Sequence, residues 1–135
     1  LLQEMFGPII EAEGYTANRG GLYATEDTVS ACFRFADGLP GSGSWCFVGH
    51  ESAKEDRIEI IGDGGSLSFS VFTYAPIVLH TAEGRHEFAP VNPPCVQEPL
   101  IKLVVDHLLG RAICTCDSIS ATSVNWVVDR VLNKL

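Results

Sequence analysis

Two alternating apolar runs, separated by four turn-forming residues, constrain this chain more than any other feature. In residues 56–71, Ile58 and Ile60 alternate with Arg57 and Glu59, and Leu67, Phe69 and Val71 alternate with Ser66, Ser68 and Ser70. A period of two suits a strand that buries one face and wets the other. Between the runs, Gly62-Asp63-Gly64-Gly65 supplies residues that tolerate positive φ, so the two strands close into a hairpin.

The same pattern recurs upstream. Residues 9–17 read as a strand and Asn18-Arg19-Gly20-Gly21 as a loop. Residues 28–36 form the next strand, with Val29, Ala31, Phe33 and Phe35 on one face. Asp37-Gly38-Leu39-Pro40-Gly41 turns the chain, and residues 42–48 return with Trp45 and Phe47 in alternation. The opposite faces carry Ser30, Cys32 and Arg34, then Ser44, Cys46 and Val48. Such small, semi-apolar residues fit either contact with another protein surface or a quiet solvent face. A shorter pair, residues 77–80 and 85–88, brackets Glu83-Gly84, which would let His80 and His86 approach one another.

After residue 94 the period lengthens to that of a helix. Pro99 suits a first turn, where its missing N–H has no partner to lose, and Gly110 is the expected stop. Leu100, Leu103, Val104 and Leu108 make the apolar stripe. In the last helix, Asp117 or Ser118 is the cap, and Val124, Val127, Val128, Val131, Leu132 and Leu135 line one face. Trp126 points away from that stripe, towards either a neighbouring helix or a docking surface. Residues 1–6 read as the end of a helix stopped by Gly7-Pro8. Strands followed by helices indicate an α+β fold, a largely antiparallel open sheet with helices packed on one face.

A formal net charge of −8 disfavours nucleic acid or an anionic membrane as partner, and no basic cluster overturns that. No apolar run approaches the ~20 residues that span a bilayer. The start, Leu1-Leu2-Gln3-Glu4-Met5-Phe6, lacks the basic region of a signal peptide and reads as a piece of a longer protein. The expected organisation is one domain over residues 1–135, without a Rossmann domain. Five scattered cysteines argue for a reducing, cytoplasmic setting, and Cys114-Thr-Cys116 has no second pair or nearby His to complete a metal site.

Catalytic motifs are absent: no GxGxxG opens a helix, and Gly62-Asp63-Gly64-Gly65 leads into a strand. His50 ends a strand and His107 lies on an apolar helix, with nothing to mark either as a base. Asn18, Tyr23, Glu26 and Asp27 gather in the loop between the first two strands, where such groups hydrogen-bond a hydroxylated ligand or simply a surface turn.

Across its whole length the chain resembles the C-terminal domain of the glucose-fructose oxidoreductase/inositol dehydrogenase (Gfo/Idh/MocA) family of NAD(P)-dependent oxidoreductases. The resemblance rests on Phe6-Gly7-Pro8-Ile9, on residues 31–35 followed by Gly38 and Gly41-Ser42-Gly43-Ser44-Trp45, and on Asp56-Arg57-Ile58-Glu59-Ile60-Ile61-Gly62. It continues through Gly65-Ser66-Leu67, Val96-Gln97-Glu98-Pro99-Leu100-Ile101 and Trp126-Val127-Val128-Asp129.

The resemblance implies a dihydrodipicolinate-reductase-like α+β domain whose parent carries an N-terminal Rossmann domain. That domain would hold NAD or NADP and the catalytic Lys and His, so no catalytic, cofactor or metal residue is carried over to this chain. It implies hydride transfer to or from a sugar-like or cyclic polyol, a reaction this chain alone would not perform. The family's C-terminal domain supplies a wall of the substrate pocket, with Asn18, Tyr23, Asp27 and Gln97 as the substrate-binding candidates. It also pairs subunits through its open sheet, implying a homodimer or larger homo-oligomer. The alternative is a self-standing binding or dimerisation module without catalysis.

Overall fold

All the expected strands form, and every pairing is antiparallel. The structure is a computed structural model that describes residues 1–134; Leu135, expected in the last helical stripe, lies outside the described residues. The strands divide between two sheets, and the chain divides with them into two compact units.

The first unit comprises Leu1–His50 and the chain from Cys114 onward. It holds helix α1 (Leu2–Phe6), strands β1 (Ile9–Ala17), β2 (Thr28–Phe35) and β3 (Pro40–Cys46), and the last helix of the chain. The sheet order is β1-β2-β3. Register sets Ala12 opposite Phe33 and Gly14 opposite Ala31, which in turn faces Gly43, so these residues share one face. The third strand starts at Pro40, earlier than the alternation suggests. It ends at Cys46, beyond which the Phe47 N–H bonds to the Asp27 carbonyl at 2.9 Å.

The core of this unit is Ile9, Ala12, Ala31, Phe35 and the last helix's Val131. Phe6 and Phe33 add rings against Phe35, at centroid distances of 5.4 and 5.7 Å. That last helix, Ser118–Val131, is capped by Asp117. The Asp117 carboxylate accepts the Ser120 N–H at 2.9 Å while the Ser120 hydroxyl accepts the Asp117 N–H at 3.1 Å, a reciprocal capping box. Gln3 ties both ends of the chain together, accepting the Ile9 N–H at 2.9 Å and the Ser123 hydroxyl at 2.8 Å.

The face this helix buries differs from the expected stripe. Trp126, Val127 and Val131 meet the core, whereas Val124 and Val128 stay 50% and 46% exposed. Gly14 permits a close approach of the helix end: a Cβ there would lie 2.5 Å from the Val131 carbonyl oxygen and 2.7 Å from its Cγ1. The bare backbone lets the helix end press on β1, with Trp126 packed against the same core. On the opposite sheet face Ser30, Cys32, Arg34, Ser44 and Cys46 are exposed and Val48 is half-buried. On it, Arg34 pairs with Glu11.

The second unit, Glu51–Ile113, holds β4 (Ile58–Gly62), β5 (Gly65–Phe69), β6 (Ile77–Thr81) and β7 (Gly84–Phe88) in that order, and α2 (Glu98–Leu108). We number the last helix of the chain α3. The β4–β5 hairpin has the expected register, Ile58 opposite Phe69, Ile60 opposite Leu67 and Gly62 opposite Gly65. Helix α2 starts at Pro99's turn and stops before Gly110, whose φ is +70°. Of its apolar stripe Leu103 is half-buried, while Leu100, Val104 and Leu108 are 42, 39 and 77% exposed. Among the described residues this unit contains none that is fully buried.

Candidate functional site

The loop between β1 and β2, residues 18–27, is built around a carboxylate with no solvent exposure. Asp27 is 0% exposed. Its backbone extends the sheet, with its N–H on the Ala17 carbonyl at 3.0 Å and its carbonyl taking the Phe47 N–H. A buried carboxylate is costly unless donors surround it. Here the Arg19 N–H reaches both oxygens at 2.9 and 3.1 Å, the Gly20 N–H reaches Oδ2 at 2.7 Å, and the Thr28 hydroxyl reaches Oδ1 at 3.0 Å. These donors, the Arg19 N–H foremost, hold the Asp27 pKa below the ordinary carboxylate value although burial pushes the other way. Gly20 leaves room beside it: a Cβ there would lie 2.7 Å from Val48 Cγ1 and 3.2 Å from Asp27 Oδ2, so those side chains would have to shift.

Asn18 braces the same loop from the other side. Its Nδ2 donates to the Tyr23 carbonyl at 2.6 Å and its Oδ1 accepts the Gly21 N–H at 2.8 Å. What the loop shows to solvent is Leu22, the ring of Tyr23 at 46% exposure, and Arg19, whose guanidinium has no ion-pair partner among the described residues. Glu26 takes the Thr25 hydroxyl at 2.7 Å, and that bond first of all lowers its pKa.

Three of the four expected ligand residues therefore lie together. Their roles separate: Asp27 faces inward, Asn18 spans the loop, and Tyr23 faces out. Gln97 belongs to the other unit, at the N-cap of α2, where its side chain makes no capping bond. His80 and His86 do not converge. The β6–β7 register sets His80 opposite Arg85 and His86 opposite Leu79, so the two imidazoles lie on opposite faces of the hairpin.

Sequence reasoning missed the backbone half of this loop, the amides of Arg19 and Gly20. It also missed a second carboxylate clamp in the other unit. Asp56 accepts the Ser70 hydroxyl and the N–H groups of Val71 and Phe72 at 2.8 and 2.6 Å, which lowers its pKa with the Ser70 bond foremost. In both clamps the signal is an aspartate at a strand boundary within reach of a tight turn, a pattern many surface aspartates share. A groove of about 500 Å³ lies in the first unit, bordered by Glu13, Tyr15, Ser30, Cys32, Arg130 and Asn133. None of the four expected ligand residues lines it.

No dinucleotide cradle is formed by the described residues. The Gly62–Gly65 turn joins two strands, and α2 and α3 begin at Gln97 and Asp117 rather than at glycine-rich turns.

Comparison with known proteins gives a consistent result. Residues 1–68 match the model of the GFO/IDH/MocA C-terminal domain. Over 101 residues, 75% of this chain, the sequence is 31% identical to Oxidoreductase P35 of Formosa agariphila, of which it spans 30%. An oxidoreductase from Agrobacterium radiobacter, solved in complex with NAD+, L-tartaric acid and magnesium, shares the fold over 98% of this chain and 44% of its own, with a TM-score of 0.75 at 14% identity. Biliverdin reductase from Synechocystis, solved with biliverdin and NADP+, does so over 95% and 40%, with a TM-score of 0.72 at 18% identity. The chain spans less than half the length of each of these three relatives. By the family-model match the chain belongs to the GFO/IDH/MocA family, and its antiparallel α+β architecture is that of the family's C-terminal domain.

Proposed function

We propose that this chain is the substrate-side half of a two-domain, NAD(P)-dependent oxidoreductase that acts on a sugar-like or cyclic polyol. In this reading both units form a single C-terminal domain of a cytoplasmic protein. A separate Rossmann domain holds the nicotinamide and the proton-transfer residues, and the present residues line the substrate. The observation that carries the reading is the match of residues 1–68 to the family's C-terminal domain in a chain whose glycine-rich turn forms no nucleotide cradle. The exposed Leu100, Val104 and Leu108 of α2 fit a body that packs against a partner domain.

Within that reading Tyr23 presents its ring to the substrate, while Asn18 and Asp27 shape the wall that carries it. Gln97 contributes from the start of α2. The exposed face of β2 and β3, with Ser30, Cys32, Ser44 and Cys46, is the surface through which two copies pair. Replacing Cys46 with Arg should lower the particle mass measured in solution; an unchanged oligomer would remove this face from consideration.

The reaction is tested on the protein as its source cells make it. Sugars and cyclic polyols are supplied with NAD+ and with NADP+, and reduced nicotinamide is followed by its absorbance. Substrate-dependent reduction by the native protein, and none by the isolated chain of residues 1–135, is the expected pair of results. Turnover by the isolated chain, or no reduction by the native protein with any polyol, would refute the reading.

A further inference from the structure

We propose that Asp27 is a positioning residue, which holds the residue 18–26 loop in its ligand-facing shape and does not itself touch ligand; this rests on the reading of that loop as a pocket wall. The carboxylate is 0% exposed and is enclosed by donors from Arg19, Gly20 and Thr28. It has no surface left for a substrate. Its partners are consecutive amides in the first half of the loop, while its own backbone is stitched to Ala17 and Phe47 in the sheet. Asp27 thus joins a mobile class of structure, a polar loop, to a rigid one. Asn18 closes the remaining span to Tyr23 and Gly21. The outcome is a loop whose internal polar groups are satisfied and whose outward groups are Arg19 and Tyr23. Ordering such a loop in advance removes a cost that ligand binding would otherwise meet.

The test uses the full chain, labelled for amide exchange by NMR, as wild type, Asp27→Asn and Gly20→Ala. The first variant keeps shape but replaces one acceptor oxygen with a donor. The second keeps the carboxylate and pushes the Gly20 backbone away from Val48 and Asp27. In both, exchange at Arg19, Gly20 and Gly21 should accelerate about ten- to a hundredfold, the loss of charge-assisted hydrogen bonds, and the Asn18 side-chain amide signals should move. Amides of Ala31 and Phe33 in β2 should keep their wild-type exchange. Unchanged exchange in the loop of either variant overturns the proposal, as does equal acceleration in loop and strand, which would make Asp27 a general stabiliser. Adding polyols to the native protein then separates the two readings. Loop signals altered in the variants, with Tyr23 unmoved by every polyol in wild type, would uphold the latch and reject the wall.

Discussion

Gly14→Ala tests the packing that sets α3 on the sheet. Gly14 faces Ala31 across β1 and β2, and its φ is not positive, so the backbone itself accepts alanine. The new methyl would sit 2.5 Å from the Val131 carbonyl oxygen, 2.7 Å from Val131 Cγ1 and 3.2 Å from the Ser30 carbonyl. Two of those three atoms are backbone, so relief requires α3 to lift from β1 rather than a rotamer to change. Overpacking of this kind costs about 1–3 kcal/mol. Against it stands the smaller unfolded-state entropy of alanine, worth about 0.4–1 kcal/mol. With central values of about 2 and about 0.7 kcal/mol, a net loss of about 1.3 kcal/mol remains. In a unit of this size each kcal/mol moves the midpoint by about 4–8 °C. Thermal unfolding followed by tryptophan fluorescence reports it, since Trp126 packs on the core beside Val131. Val131→Ala removes the Cγ1 conflict but leaves the carbonyl and empties core volume, so it should cost less stability in the Gly14→Ala background than in wild type. The pair should show a coupling of roughly 0.5–1 kcal/mol. A Gly14→Ala protein as stable as wild type would refute the close approach.

Two further outcomes follow from the carboxylates. The folded-state pKa values of Asp27, Asp56 and Asp117 are all depressed, so their stabilisation is complete above the unfolded aspartate value near ~4 and is lost as pH falls through the lower folded values. Denaturant midpoints should therefore drop with acidification below that point and more shallowly in Asp27→Asn; parallel curves would contradict the clamp. Asp117→Ala should lower the midpoint of the first unit while Asp117→Ser largely preserves it, because serine also accepts the Ser120 N–H. Equal loss in both variants, measured by circular dichroism, would exclude capping as the cause.

Local order was legible in the sequence where residues alternate or cap. The β4–β5 hairpin follows from Ile58, Ile60, Leu67 and Phe69 with Gly62 and Gly65 between them, and its register agrees. Pro99, Gly110 and Asp117 mark the helix limits for reasons confined to a few neighbouring residues. What escaped depends on residues far apart in sequence. The last helix offers two apolar faces, and contacts with segments more than a hundred residues away, Gly14 against Val131 and Gln3 against Ser123 among them, accompany the burial of Trp126, Val127 and Val131 over Val124 and Val128. The separation of His80 from His86 depends on a one-residue parity that the turn at Gly84 sets. Asp27 reads as one more polar loop residue, because the donors that neutralise it are main-chain amides, which every sequence possesses. The division of the strands into two sheets is likewise a matter of pairing between distant segments, to which local alternation is blind.

The proposed substrate wall requires that the residue 18–27 loop meet substrate through Tyr23. The most direct measurement is the KM and kcat of Tyr23→Ala in the native protein, by nicotinamide reduction with its best polyol. On the proposed placement, loss of this ring contact, about 1.4 kcal/mol, should raise KM about tenfold while kcat changes far less, because the ring would hold the substrate without joining the hydride path. Unchanged KM and kcat would contradict the placement of the substrate at this loop.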